Sequence, residues 1–88
     1  MKGDITFSAK AMHHYVEWQM LDKRIAARIN ALIKDIQRSG LMNGIGRPEA
    51  LKHQKAYSRH IDEFHRLVYE SDEHQNIRII SCKGHYES

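Results

Sequence analysis

Only one cysteine, one proline and one tryptophan occur among the 88 residues, and no apolar run approaches the roughly 20 residues that span a bilayer. A lone cysteine excludes an internal disulfide framework. Cys82 closes the apolar run Ile77-Arg78-Ile79-Ile80-Ser81-Cys82, so it is expected to be a small buried hydrophobe and a poor candidate for thiol catalysis. The missing apolar run argues against a membrane partner. Met1-Lys2-Gly3-Asp4 has no hydrophobic core of a signal peptide, so a cytoplasmic location is expected. The seven histidines (His13, His14, His53, His60, His65, His74 and His85) show neither His-Glu-x-x-His nor Cys-x-x-Cys spacing, so neither a metal nor another cofactor is expected. Gly44 and Gly46 flank Ile45 without the spacing or the Gly-Lys-Ser/Thr ending of a phosphate-binding P-loop.

What is present fits a small folded protein. Hydrophobic residues make up 41% and charged residues 28%, ordinary values for a globular chain. Residues 1–88 are expected to form one domain with a single core. So small a core is marginal, and a partner or a dimer would stabilise it. Fourteen Lys and Arg against eleven Asp and Glu leave a formal charge of +3. That excess suits a polyanionic partner and equally suits a plain solvated surface.

Ile5-Thr6-Phe7 alternates as a short strand, and Ser8 can cap the helix that follows. That helix is expected from Ala9 to about Gln19, with Met12, Tyr15, Val16 and Trp18 mostly on one side. Asp22 is the next N-cap. The clearest periodicity follows, with Ile25, Ile29, Leu32, Ile33 and Ile36 forming one stripe and Gly40 ending the helix. The other side is rich in Lys and Arg, a solvated surface or a contact for a nucleic acid backbone. Leu41 to Glu49 reads as a loop, in which Pro48 is expected to push Arg47 toward an extended conformation. Ala56–Ile61 and Phe64–Glu70 read as strands joined at Asp62-Glu63, and Ile77–Cys82 as a last strand. Regular alternation would put Ile61, Leu67 and Tyr69 against the helices and Ser58, His60 and Arg66 on the other face. The expected fold is α+β, with two N-terminal helices on one side of a small antiparallel sheet.

Glu49, Lys52, His60, Arg66, His85 and Tyr86 form the candidate chemical set. Cutting RNA without a metal takes a base for the ribose 2′-hydroxyl, cations for the pentacovalent phosphate and an acid for the leaving 5′-oxygen. Glu49 can be the base, Lys52 and Arg66 the clamp and His85 the acid, while Tyr86 can stack on a nucleobase or orient the phosphate. Each also has an ordinary reading: Glu49 a solvated loop acid, Arg66 a partner of Asp62 or Glu63, His85 a surface residue near the chain's end.

The chain resembles the YoeB (Txe) toxins of bacterial type II toxin–antitoxin pairs, within the RelE superfamily. The resemblance runs through Trp18-Gln19, Asp22-Lys23-Arg24, the helical run Ile29 to Ile36, Gly44-Ile45-Gly46-Arg47-Pro48-Glu49 and Leu51-Lys52. It continues through Ser58-Arg59, His65-Arg66-Leu67-Val68-Tyr69 and His85-Tyr86. It implies a RelE-like fold and a ribosome-dependent endoribonuclease that cuts messenger RNA in the A site, leaving a 2′,3′-cyclic phosphate or 3′-phosphate and a 5′-hydroxyl. By that resemblance Glu49 is the general base, Arg66 stabilises the phosphate, His85 is the general acid and Tyr86 helps place the substrate. Lys52, Arg59 and His60 are expected to contact RNA phosphate. The implied partners are a cognate antitoxin of the Phd/YefM kind, the ribosome, operator DNA through the antitoxin, and a second copy of the toxin.

The pattern is departed from in three places. The usual Ser-Arg-Arg-Ile reads Ser58-Arg59-His60-Ile61, placing an imidazole where an arginine is expected. The stretch between Lys52 and Ser58 is about two residues short of the common length. Glu87-Ser88 extend past a tyrosine that often ends the chain. The first departure keeps a rival reading open: a toxin relative that binds antitoxin and operator but cuts poorly.

Overall fold

The computed structural model describes residues 3–52 and 54–85. Strand β1 (Ile5–Phe7) leads into helix α1 (Ala9–Leu21), and α2 (Lys23–Ser39) follows directly. Then come β2 (Glu49–Ala50), β3 (Tyr57–His60), β4 (Arg66–Ser71) and β5 (Ile77–Ser81). They form one five-stranded sheet in the order β1-β5-β4-β3-β2. The α+β expectation holds, and the sheet is mixed: β2 to β5 pair antiparallel, whereas β1 runs parallel to β5. The two helices intervene after β1, so it is not forced into a hairpin and enters the sheet at the far edge.

The helices begin where the caps predict. Ser8 Oγ accepts the Ala11 N–H at 2.9 Å, and Asp22 Oδ1 accepts the Arg24 N–H at 3.0 Å. Helix α1 runs on through Leu21, and Asp22 serves as both its last cap and the first cap of α2. The reading of the α1 face needs correction. Its inward stripe is Ala11, Tyr15 and Trp18, whereas Met12 and Val16 are 44% and 51% exposed. Two apolar stripes share this helix, and size alone does not tell which one packs. Helix α2 behaves as its periodicity dictates. Ile29, Leu32 and Ile36 are fully buried, each burial stabilising the fold by about 1.5–3 kcal/mol. They pack with Leu67, Tyr69, Ile77 and Ile79 of the sheet.

The register fixes the faces. Tyr57 pairs with Tyr69 and Arg59 with Leu67, so these lie on the helix side together with Ile61. Ser58 pairs with Val68 and His60 with Arg66, so these lie on the opposite face, as alternation predicts. Cys82 is fully buried, as expected, and burial pushes its thiol up to about 12. Among the described residues no helix is long and apolar enough to cross a membrane.

Candidate active site

Glu49 lies in a two-residue edge strand, not the loop expected of it, and a buried ion pair holds the chain leading into that strand. Asp35 of α2 accepts from the Ile45 N–H at 2.9 Å and from Arg59 Nη1 at 2.7 Å. Arg38, the Ile45 amide and Arg59 together hold the Asp35 carboxyl far below the usual carboxylate range. All three Arg59 nitrogens are used. Nε donates to the Tyr69 hydroxyl, Nη1 also to the Ile45 carbonyl, and Nη2 to the carbonyls of Gly40 and Asn43. The expectation that Arg59 contacts RNA phosphate is therefore corrected. It is fully buried on the helix face and ties the 40–45 segment down.

The two glycines follow from that knot. A Cβ on Gly44 would sit 1.9 Å from Asp35 Oδ2, and one on Gly46 would sit 2.7 Å from Leu32 Cδ2 and 3.2 Å from Arg59 Cβ. Both residues also have positive φ, 106° and 84°. The Gly-x-Gly pattern thus lets backbone pass over a buried salt bridge. Arg47, expected to be extended before Pro48, instead has φ 52°, a left-handed value. The pinned loop, with the Gly46 carbonyl accepting the His60 N–H at 2.6 Å, overrides the local preference. Such a non-glycine residue carries strain of roughly 1–3 kcal/mol, a feature that concentrates at functional sites.

The outcome is a row of side chains across three strands. Glu49 of β2 pairs in register with Ser58, putting it diagonal to His60 of β3, which pairs with Arg66 of β4. Glu49 Oε1 lies 3.8 Å from His60 Nε2, with the two side chains 63% and 25% exposed. Burial, then Arg66 and Arg47, lower the His60 pKa, while Glu49 pulls the other way. Arg66 Nη1 donates to the backbone carbonyls of Asp62 (3.0 Å) and His65 (3.2 Å) rather than to a carboxylate. A groove of about 600 Å3 beside this row is lined by Arg28, Arg47, His60, Asp62, Glu63 and Arg66. Arg28 and Arg47 were not singled out from the sequence as groove cations. Helix α2 carries Arg28 in, its Nη2 donating to the His60 carbonyl at 3.5 Å.

The chain's last described segment, which ends at His85, docks on the backbone of Arg66. The Arg66 N–H donates to the Gly84 carbonyl at 3.0 Å, and the Gly84 N–H donates to His65 Nδ1 at 2.8 Å. The segment is fastened from α1 as well. Trp18 Nε1 donates to the Cys82 carbonyl at 2.8 Å, and His14 Nδ1 accepts the Cys82 N–H at 3.2 Å. Lys83 Nζ reaches Glu17 Oε1 at 2.6 Å. His85 is exposed, its ring centroid 5.7 Å from that of Phe64. Lys52 is exposed in the β2–β3 connection and is not part of the groove lining. Tyr86, Glu87, Ser88 and His53 lie outside the described residues. Among the described residues no group of three His, Cys, Asp or Glu is placed to hold a metal ion.

Comparison with known proteins agrees with this architecture. The curated toxin YoeB of Escherichia coli K12 is 42% identical over 84 residues, 93% of this chain and 98% of that protein. Toxin YoeB of Streptomyces coelicolor is 40% identical over the same span. The structure of the YoeB dimer from Staphylococcus aureus superposes with a TM-score of 0.89 at 45% identity, covering 98% of this chain and all of that one. A heterotetrameric YoeB–YefM toxin–antitoxin complex from the same organism contains a chain matching at 0.87. The Escherichia coli DinJ–YafQ complex, matching at 0.77 with 14% identity, shares the fold alone. The family model for the YoeB-like toxin of bacterial type II toxin–antitoxin systems matches residues 7–86, and the chain belongs to that family.

Proposed function

We propose that this toxin is a ribosome-dependent endoribonuclease that cuts messenger RNA in the A site and so halts translation. The observation that carries the reading is the cross-strand row in which Glu49, His60 and Arg66 share one face. The Gly84 carbonyl, one residue before His85, docks on the backbone of Arg66. A phosphate at Arg66 would thus have a carboxylate–imidazole pair on one side and the His85 segment on the other. The 2′-oxygen attacks phosphorus as its proton passes to the base on the Glu49 side. Arg66 takes up the developing charge, with Arg28 and Arg47 along the groove, and His85 protonates the leaving 5′-oxygen. The products are a 2′,3′-cyclic phosphate and a 5′-hydroxyl, with no metal required. Lys52 adds positive charge near the entrance, and Tyr86 orients the substrate.

The expected partners follow from the relatives. A YefM-like antitoxin would cover the site in the cytoplasm and bring the toxin to operator DNA, and a second copy of the chain would form a homodimer. Inducing the protein without antitoxin should arrest growth and break messages inside translated codons, as mapped by primer extension. Glu49→Ala and His85→Ala should abolish both effects. A second reading is favoured by Arg59 being spent internally and by the burial and neighbouring arginines that lower the His60 pKa. It describes a toxin that binds its antitoxin and cuts poorly. Healthy growth with intact message on induction would select it.

A further inference from the structure

We infer that His60, oriented by Glu49, is the group that takes the proton from the attacking 2′-hydroxyl, so that the base of this chain is a carboxylate–imidazole pair. This rests on the endoribonuclease reading and assigns the accepting atom within it.

The argument starts from what His60 is unsuited to do. The groups facing it are Glu49 from β2, Arg66 from β4, Arg47 from the preceding loop, Arg28 from α2, and Asp62 and Glu63 in the β3–β4 turn. Burial and the two nearer arginines favour the neutral ring over the pull of Glu49. A neutral imidazole adds no charge to a phosphate clamp. It does carry one N–H and one lone pair, and Glu49 can accept the first while the second faces the reacting hydroxyl. The 3.8 Å approach of Oε1 to Nε2 is within a small rotation of a hydrogen bond, and catalytic bonds commonly tighten once substrate arrives. The remaining exposure of the side chain, 25%, leaves it reachable from the groove it lines.

Position then decides between the two groups. His60 lines the groove beside Arg66, whereas Glu49 lies behind it on the edge strand, outside that lining. Glu49 fixes the tautomer and offsets the charge of the imidazolium as it forms. In the step, the 2′-O–H bond breaks and its proton goes to the imidazole as the 2′-O–P bond forms. The P–5′-O bond breaks and His85 supplies the proton to the 5′-oxygen. His60 then returns its proton to solvent, and His85 regains one.

The test is single-turnover cleavage of ribosome-bound message followed across about pH 5 to 8. The wild-type rate should climb about tenfold per pH unit on the acid side and level off below neutrality, as ionisation of one group requires. His60→Gln should lose that limb and at least about 100-fold in rate at pH 7 while keeping its affinity for the ribosome. His60→Arg restores the cation common at this position and should remain as slow as His60→Gln. An equally fast or faster His60→Arg with an unchanged acid limb would overturn the assignment and make His60 a phosphate contact. A wild-type rate already level across this whole range would overturn it too, and this needs no variant to fold. Cleavage abolished in His85→Ala but intact in His60→Gln sinks the His60 role alone. A wild-type protein that leaves translated message whole sinks the nuclease reading, and this inference with it.

Discussion

Arg59 and His60 are neighbours in the chain and opposites in use, because a strand turns successive side chains to opposite faces. Arg59 pairs across the sheet with Leu67 and so points inward, where its charge is tolerable only because Asp35 and four other oxygens receive it. Arg59→Met should leave the Asp35 carboxylate and several loop carbonyls short of donors. The expected cost is about 3 kcal/mol or more, a fall in Tm of more than about 10 °C for a domain of this length, read by thermal unfolding. Arg66, on the open face, should behave differently. Arg66→Ala is expected to lower the single-turnover cleavage rate far more than ribosome affinity, since its guanidinium is held in place on backbone carbonyls at the groove. Equal losses in rate and affinity would assign Arg66 to docking instead. The alternation that separates these roles was legible in the sequence, since Leu67 and Tyr69 were placed inward. What the pattern could not reveal is that Asp35, twenty-four positions away on another element, waits to receive the Arg59 side chain.

Helix α1 contributes less to the core than its sequence suggested and more to the site. Its inward edge, His14, Glu17 and Trp18, grips the Cys82–Gly84 segment that delivers His85. The elements themselves were readable from capping and periodicity, because Ser8, Asp22 and the α2 stripe act locally. The clamp was not, because every bond in it joins residues more than sixty positions apart. The parallel pairing of β1 was hidden for the same reason. The clamp gives a pH dependence. Burial, followed by Lys10, lowers the His14 pKa, and its Nδ1 must stay unprotonated to accept the Cys82 N–H. The folded state therefore binds fewer protons than the unfolded chain. The stability His14 contributes is complete above about pH 6.5, the value of a free imidazole, and is lost as pH falls through the lowered folded value. His14→Gln should lose less stability than the wild type between about pH 7.5 and pH 5.5 in urea titrations, because the variant has no proton to take up there. An identical loss in both proteins would remove His14 from the clamp.

Taken over the whole molecule, the excess of +3 matters less than where the cations lie. Several basic side chains are absorbed by nearby acids: Arg38 and Arg59 by Asp35, Lys83 by Glu17 and Arg78 by Glu70. Arg28, Arg47 and Arg66 instead converge, three cations against Asp62 and Glu63, on the groove at one end of the sheet, beside the row that would meet a scissile phosphate. Lys34 lies six residues further along α2 than Arg28, exposed and outside that groove lining. This polarity turns the open question about the basic face of α2 into a measurement. Binding to a polyanion releases counterions, so log affinity falls with log salt by roughly 0.7–0.9 per phosphate neutralised. Arg28→Ala should make the salt slope of ribosome binding shallower by about one phosphate contact, whereas Lys34→Ala should leave both affinity and slope unchanged. A shallower slope in both variants would mean that the outer surface of α2 also touches ribosomal RNA. No change in either would confine the RNA contact to Arg47, Arg66 and the strands, with α2 serving as the support from which Asp35 holds the loop before Glu49 in place.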